Sequence, residues 1–364
     1  MATNPAIAPA MNPLAQPDQP VLAVNNLTVE FRGDDGWVSA IRDVSFDIGR
    51  RECLGIVGES GSGKSVSALS ILRLHARATS RISSGSIVFN DRDLLTLPEP
   101  QMRRIRGAEI AMIFQDPMSS LNPVLTIADQ IIEPLRLHQG LTTAAARKRA
   151  IELLGLVRIP DAARRIDDYP HRLSGGMRQR VVIAIAIACQ PKVLIADEPT
   201  TALDVTIQSQ ILQLLKELQS ELDMSVILIT HDLGVIAQFA DRVVVMYAGQ
   251  VIESAPVLDL FDKPLHPYTD GLLAAIPRLD GEPGRLKSIA GSIPDPSVHI
   301  PGCRFSPRCP EALPVCHEVP PALLPAMLPA SPMRWSRCPP RLAACGAIPD
   351  THAGFPVRQQ AVTP

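Results

Sequence analysis

The stretch "GESGSGKS" (Gly58–Ser65) constrains this chain more than any other. It follows the apolar run "CLGIVG" and precedes "SVSALSIL", whose apolar residues recur at helical spacing. A glycine-rich turn between a buried strand and a helix, ending in Lys-Ser, is a phosphate cradle. The glycines let the backbone curl, so that successive N–H groups point at anionic oxygens. The following helix adds its positive N-terminal end. Gly58, Glu59, Ser60, Gly61, Ser62, Gly63, Lys64, Ser65 and Val66 are therefore the candidate nucleotide-binding residues. Lys64 suits the β- and γ-phosphates, and the Ser65 hydroxyl suits Mg²⁺, which prefers oxygen ligands.

The surrounding pattern predicts the fold. Short β-rich runs open the region (Val21–Phe31, Val44–Ile48, Cys53–Gly58), with further strands at Gly85–Asn90 and Ile110–Gln115. "KVLIADEP", "SVILIT", "RVVVMYAG" and "QVIES" read as strands; "GMRQRVVIAIAIA" and "TIQSQILQLLKELQSEL" read as helices. Strands alternating with helices give a mostly parallel α/β sheet. Residues 125–170 are mostly helical and read as an insertion. "VLIADEPT" ends a buried strand in two carboxylates. Asp197 can hold Mg²⁺ through water, and Glu198 can polarise an attacking water.

Composition excludes several classes. The net charge is −2, so no global field draws nucleic acid to the chain. No window approaches the ~18 uncharged apolar residues of a membrane-spanning helix. "MATNPAIAPAMNPLAQPDQP" lacks the basic start and apolar middle of a signal peptide and reads as a disordered arm, residues 1–20. The chain is expected to fold in the cytosol. Proline divides it: residues 256–364 hold 21 of the 35, and five of the seven cysteines.

"LSGGMRQR" (Leu173–Arg180) resembles the signature motif of the ATP-binding-cassette (ABC) ATPases. The motif order agrees with that family: phosphate loop, "FQDP", signature, "DEP", then a histidine after a strand. The resemblance covers about residues 21–255. It implies a phosphate-loop cassette with a RecA-like core, an antiparallel β subdomain and an inserted helical subdomain at about 116–172. It also implies that Ser174, Gly175, Gly176 and Gln179 of the signature, with Asp204 of the D-loop, serve the ATP site of a second cassette in a head-to-tail dimer. Gln115 matches the glutamine that reaches Mg²⁺ and water, beside Ser65 and Asp197. His231 matches the γ-phosphate sensor. Phe31 is the expected adenine-stacking aromatic, with Trp37 its competitor. Glu198, His231 and Gln115 are then the catalytic residues.

Finer features resemble the oligopeptide/dipeptide importer subfamily, and its D-type ATPase in particular. They are Glu59 in the loop, "FQDPMSSLNPVLTI", "HPYT" (His266–Thr269) and "IPGCRFSPRCP". This resemblance implies a separate ATPase chain, peripheral at the cytoplasmic face of the membrane. It would pair with a second cassette subunit, dock on two permease subunits, and be served by an extracytoplasmic peptide-binding protein. Close relatives import nickel, glutathione or other small solutes. A soluble, non-transport cassette is a further alternative.

Residues 256–345 form a Pro/Cys-rich C-terminal domain, followed by a flexible tail at 346–364. Such a loop-rich segment with few core residues usually needs a staple, and disulfides are rare in the cytosol. Cys303, Cys309, Cys316 and Cys338 lack the C-x₂-C knuckle of structural zinc and the tight run of bacterial ferredoxins. The subfamily carries the same four-cysteine arrangement, for which a [4Fe–4S] cluster is the implied occupant. Arg304, Arg308 and Arg337 are placed to offset its charge. Zinc, or no metal with thiols filling small apolar gaps, are the other readings.

Overall fold

The computed structural model describes residues 19–201, 203–276, 288–328 and 331–348. The expected N-terminal arm (but for its last two residues) and nearly all of the expected C-terminal tail lie outside them. Two sheets organise the chain. The smaller is antiparallel, in the order β2-β1-β4-β5: β1 (Leu22–Gly33), β2 (Gly36–Ile48), β4 (Ser80–Phe89) and β5 (Arg92–Asp93). The larger has eight strands in the order β11-β12-β10-β9-β3-β8-β7-β6. Its parallel part is β9 (Arg242–Tyr247), β3 (Cys53–Val57), β8 (Ser225–Ile229), β7 (Val193–Asp197) and β6 (Ile110–Ile113). β3, β7 and β8 are continuous apolar runs because both faces of the sheet are covered.

Alternation along these strands divides two cores. Leu54, Ile56, Val193, Ile195, Ile227 and Ile229 face the antiparallel sheet, meeting Val29, Ile41, Phe46 and Phe89. Cys53, Val57, Leu194, Val226 and Leu228 face the helices, in one cluster with the insertion's Ile131, Leu135, Leu153 and Leu154. The insertion holds the helices Ile127–Gln139 and Thr143–Leu156. Thr126 and Asp129 close the first in a capping box. Thr142 caps the second.

The C-terminal region departs from the loop-rich expectation. β10 (Gln250–Pro256) turns back antiparallel on β9, and β12 (Ser331–Ser336) pairs with β10 at Glu253 and Ser254. β11 (Leu324–Leu328) then closes the edge. The main sheet thus runs without a break into the proline-rich region. Phe305 is buried in the helix-side core against Tyr247, Tyr268 and His266. The segment therefore has a packed apolar anchor, which weakens the argument that it needs a covalent or metal staple. The buried Glu253 carboxylate accepts from Leu265 N–H at 2.7 Å and pairs with Arg334, joining hairpin and cassette.

Candidate functional site

The phosphate loop leaves β3 and enters the helix Lys64–Ile71. Its glycines are required by geometry. Gly58 has φ 153°, and a Cβ there would lie 2.2 Å from the Met246 carbonyl oxygen; at Gly63, φ 100°, a Cβ would lie 2.6 Å from the Ile41 side chain. Lys64 is buried, and its Nζ donates to the loop carbonyls of Gly58 (2.7 Å) and Glu59 (3.0 Å). Burial lowers its pKa, while Glu198, Asp197 and Glu59 pull it back up. The ammonium is thus fixed at the loop, at the start of a helix. The Ser62 hydroxyl and Asp197 Oδ1 are buried and find no partner among the described residues. Burial raises the Asp197 pKa, and a hydrogen bond from Ser65 draws it down. A cationic Lys64, the exposed Ser65 hydroxyl and an unspent Asp197 oxygen fit a phosphate–Mg²⁺ group in charge and in donor type.

The three expected catalytic residues, 83 and 33 positions apart from Glu198, meet on one carboxylate. Glu198 follows β7 with φ 45°, its own N–H held by Ile229 O at 2.9 Å. Gln115 Nε2 donates to Oε2 at 3.0 Å, as does the Thr201 hydroxyl. His231 Nδ1 lies 3.2 Å from Oε1. Burial pushes the Glu198 pKa up, but the bonds from His231 and Thr201 outweigh it and leave it lowered. Glu198 is therefore an ionised acceptor with one side open to His231, itself exposed. A carboxylate so placed can take hydrogen bonds from a water and orient it.

Comparison with known proteins agrees with this geometry. Residues 41–201 match the family described as "ABC transporter", and residues 252–316 match "Oligopeptide/dipeptide transporter, C-terminal region". A peptide import ATP-binding protein of Brucella abortus (strain 2308) is 61% identical over 89% of this chain and 96% of its own length. The chain belongs to the ABC transporter ATPases. The oligopeptide transport ATP-binding protein AppD of Bacillus subtilis (strain 168) is 54% identical over 84% of this chain and 93% of its own. Among solved structures, the dimeric bacterial ABC transporter cassette MJ0796 superposes with TM-score 0.58 at 31% identity, covering 65% of this chain and 98% of that one.

Other expected residues of this ATPase fall into three groups. Ser174 caps the helix Gly175–Ile187 by accepting from Met177 N–H, and Asp204 caps Val205–Glu221 by accepting from Ile207 N–H at 2.9 Å. Gly175 and Gly176 face Leu203 and Ile207, and a Cβ on Gly176 would meet Ile207 at 2.8 Å. Ser174 and Gly175 are exposed, as residues offered to a second chain must be. Gln179 is not: it is fully buried, and its amide has no hydrogen-bond partner among the described residues. It lies on the inner face of that helix, one turn beyond the two glycines, unlike the exposed Ser174 and Gly175.

Phe31 and Trp37 separate by strand alternation. Phe31 packs on the core and meets the His75 ring edge-on, centroids 5.2 Å apart. His75 in turn reaches Val66 O at 3.0 Å. Trp37 pairs across β1 and β2 with Arg32, which places it on the other face, under the Arg81 guanidinium. Phe31 is thus tied to the helix of the phosphate loop, and Trp37 is not.

The cysteines give a mixed result. Cys303, Cys309 and Cys338 each lie close enough to a neighbouring thiol to feel it electrostatically, Cys316 being the neighbour of Cys303 and Cys309. All are free, and among the described residues no group of three or more His, Cys, Asp or Glu side chains is arranged to hold a metal ion. Burial first, then the neighbouring thiols, pushes Cys303 up to about 11 and Cys338 up to about 12. Cys303 and Cys338 are therefore protonated as folded, and any metal bound there would have to displace those protons. The arginines expected to offset a cluster's charge are used elsewhere. Arg304 donates to Ala248 O, Arg337 to Val251 O and Asp43, and Arg308 to Glu59. Arg341 is the arginine that acts on Cys309 and Cys338. Sequence reasoning missed Thr201 and the contacts of Tyr268 and Arg308 with Glu59. "HPYT" and "SPRCP" signalled those last two positions, but not what they touch.

Proposed function

We propose that this ATPase powers the import of di- or oligopeptides through a membrane ABC transporter. The reading is supported by one observation above all: a complete phosphate-loop and Glu198 apparatus joined, in one continuous sheet, to a C-terminal region of the oligopeptide/dipeptide transporter kind. Relatives matched along nearly their whole length bear peptide-import or oligopeptide-transport names. No helix of the described residues is long and apolar enough to cross a membrane. In this reading separate permease subunits would supply the path for the solute. The chain would act peripherally at the cytoplasmic face, paired with a second cassette subunit. Peptide would reach the permeases from an extracytoplasmic binding protein.

In this mechanism Lys64 and the loop N–H groups bind the phosphates. Ser65, Asp197 and Gln115 would hold Mg²⁺, which supplies neutralisation of phosphate charge. Glu198 orients and polarises the water, and His231 reports the γ-phosphate to Glu198 through their shared hydrogen bond. Ser174, Gly175, Gly176 and Asp204 complete the partner's site. Gln115 joins Glu198 to the helical insertion, which gives hydrolysis a path to the permease. Phe31 receives the adenine.

For the cysteines we propose an iron–sulfur cluster on the four-cysteine arrangement of the sequence alone, since the described residues form no metal-holding group; iron and acid-labile sulfide on anaerobically prepared full chain test it, and their absence rejects it. Transport is tested in proteoliposomes holding both permeases, both cassettes and the binding protein. ATP-dependent uptake of a labelled tripeptide supports the reading. Uptake of nickel or glutathione without peptide would replace it with the small-solute alternative.

A further inference from the structure

The second residue of the phosphate loop is gripped from outside the cassette motifs. The Glu59 carboxylate lies against the Arg308 guanidinium at two points, Nη1 to Oε2 at 3.0 Å and Nη2 to Oε1 at 3.2 Å. Glu59 N–H donates to the Tyr268 hydroxyl at 2.9 Å. Its carbonyl accepts from Lys64 Nζ at 3.0 Å and from Ser62 N–H at 3.2 Å. The tail thus holds the side chain and N–H of Glu59, while the loop's own lysine holds its carbonyl.

The grip is built rather than casual. The Arg308 side chain is only 7% exposed. Its Nε also donates to Ala290 O at 2.8 Å, and its Nη2 to Ile289 O and Gly291 O at 3.4 and 3.3 Å. Tyr268 is fully buried against Tyr247 and Phe305. A two-point arginine–carboxylate pair fixes direction as well as charge. Without it, Glu59 would set a bare negative charge beside Lys64, where phosphates must approach.

We infer that Arg308 is a positioning residue for nucleotide: with Tyr268 it cancels the Glu59 charge and fixes the phosphate loop, so that the C-terminal region sets nucleotide affinity. This rests on Gly58–Ser65 being the MgATP site. Arg308 touches no nucleotide itself; it acts through Glu59.

The test measures MgATP affinity of the full chain, and KM and kcat of the assembled transporter, for wild type, Arg308→Ala, Arg308→Lys and the double variant Glu59→Gln/Arg308→Ala. Arg308→Ala should weaken MgATP about tenfold, the scale of one lost charge-assisted pair. The change should fall on KM, with kcat near wild type. Arg308→Lys, which keeps the charge but not the fork, should recover part of the affinity. The double variant should recover most of it, since no carboxylate is left to cancel. Wild-type affinity in Arg308→Ala, or a double variant as weak as Arg308→Ala alone, overturns the inference, the latter by showing a merely structural role. A wild-type chain that binds no MgATP overturns the site reading beneath it.

Discussion

His266 makes the fold sensitive to acid, and the size of the effect follows from its surroundings. It is almost wholly buried, its Nδ1 accepts the Tyr268 N–H at 3.1 Å to cap the helix Pro267–Ala274, and its ring lies on Phe305. Burial first, then Arg341 and Arg337, pushes its pKa down to about 3 from an ordinary 6.5. Above the ordinary value the ring is neutral folded or unfolded, and its contribution is fully present. As pH falls below it, the unfolded chain takes a proton that the folded chain refuses, and stability is lost until the folded pKa is reached. Two pH units below the ordinary value, the loss is on the order of 2–3 kcal/mol. Glu253 opposes this: burial raises its pKa, so the folded chain takes up that proton first as pH falls. The variant His266→Asn isolates the histidine, because asparagine can still cap the helix but does not titrate. Urea unfolding of the full chain near pH 7 and near pH 4.5 should show wild type ahead at the higher pH and losing that lead by about 2–3 kcal/mol at the lower. A gap between the two that stays constant with pH would refute the reasoning.

Two further substitutions probe the loop and the signature helix. Gly58→Ala forces a Cβ to 2.2 Å from Met246 O in a backbone conformation that alanine avoids. It should cost more than about 2 kcal/mol in denaturant unfolding and abolish MgATP binding; a stable, nucleotide-binding variant would contradict the loop geometry. Gln179→Met replaces a buried, unpartnered amide with an apolar side chain of similar length. It should raise stability by about 1–3 kcal/mol, and a loss instead would show that the amide has a partner.

The cassette was legible in the sequence because its chemistry is local. A phosphate cradle needs glycines at Gly58, Gly61 and Gly63 and a cation at Lys64, within eight residues of chain. The convergence of Gln115 and His231 on Glu198 was legible only through the family's motif order, since no spacing rule joins residues so far apart. The hairpin β11–β12 was not legible, because Pro325 and Pro332 argue against central strands. The structure removes the conflict. β11 is the edge strand, and β12 pairs with β10 only at Trp335 and Ser336, beyond Pro332. The roles of the tail arginines were misread for a related reason. Side by side with cysteines, Arg304, Arg308 and Arg337 looked like counter-charges for a cluster, whereas their long side chains reach back to the cassette.

The central claim is that Glu198 activates the water that cleaves ATP. The direct test is ATP turnover and MgATP binding by Glu198→Gln in the assembled transporter, since the amide keeps the shape and hydrogen-bonding reach of the carboxylate. The account predicts turnover reduced about a hundredfold or more with MgATP binding retained. Turnover at the wild-type rate would contradict it.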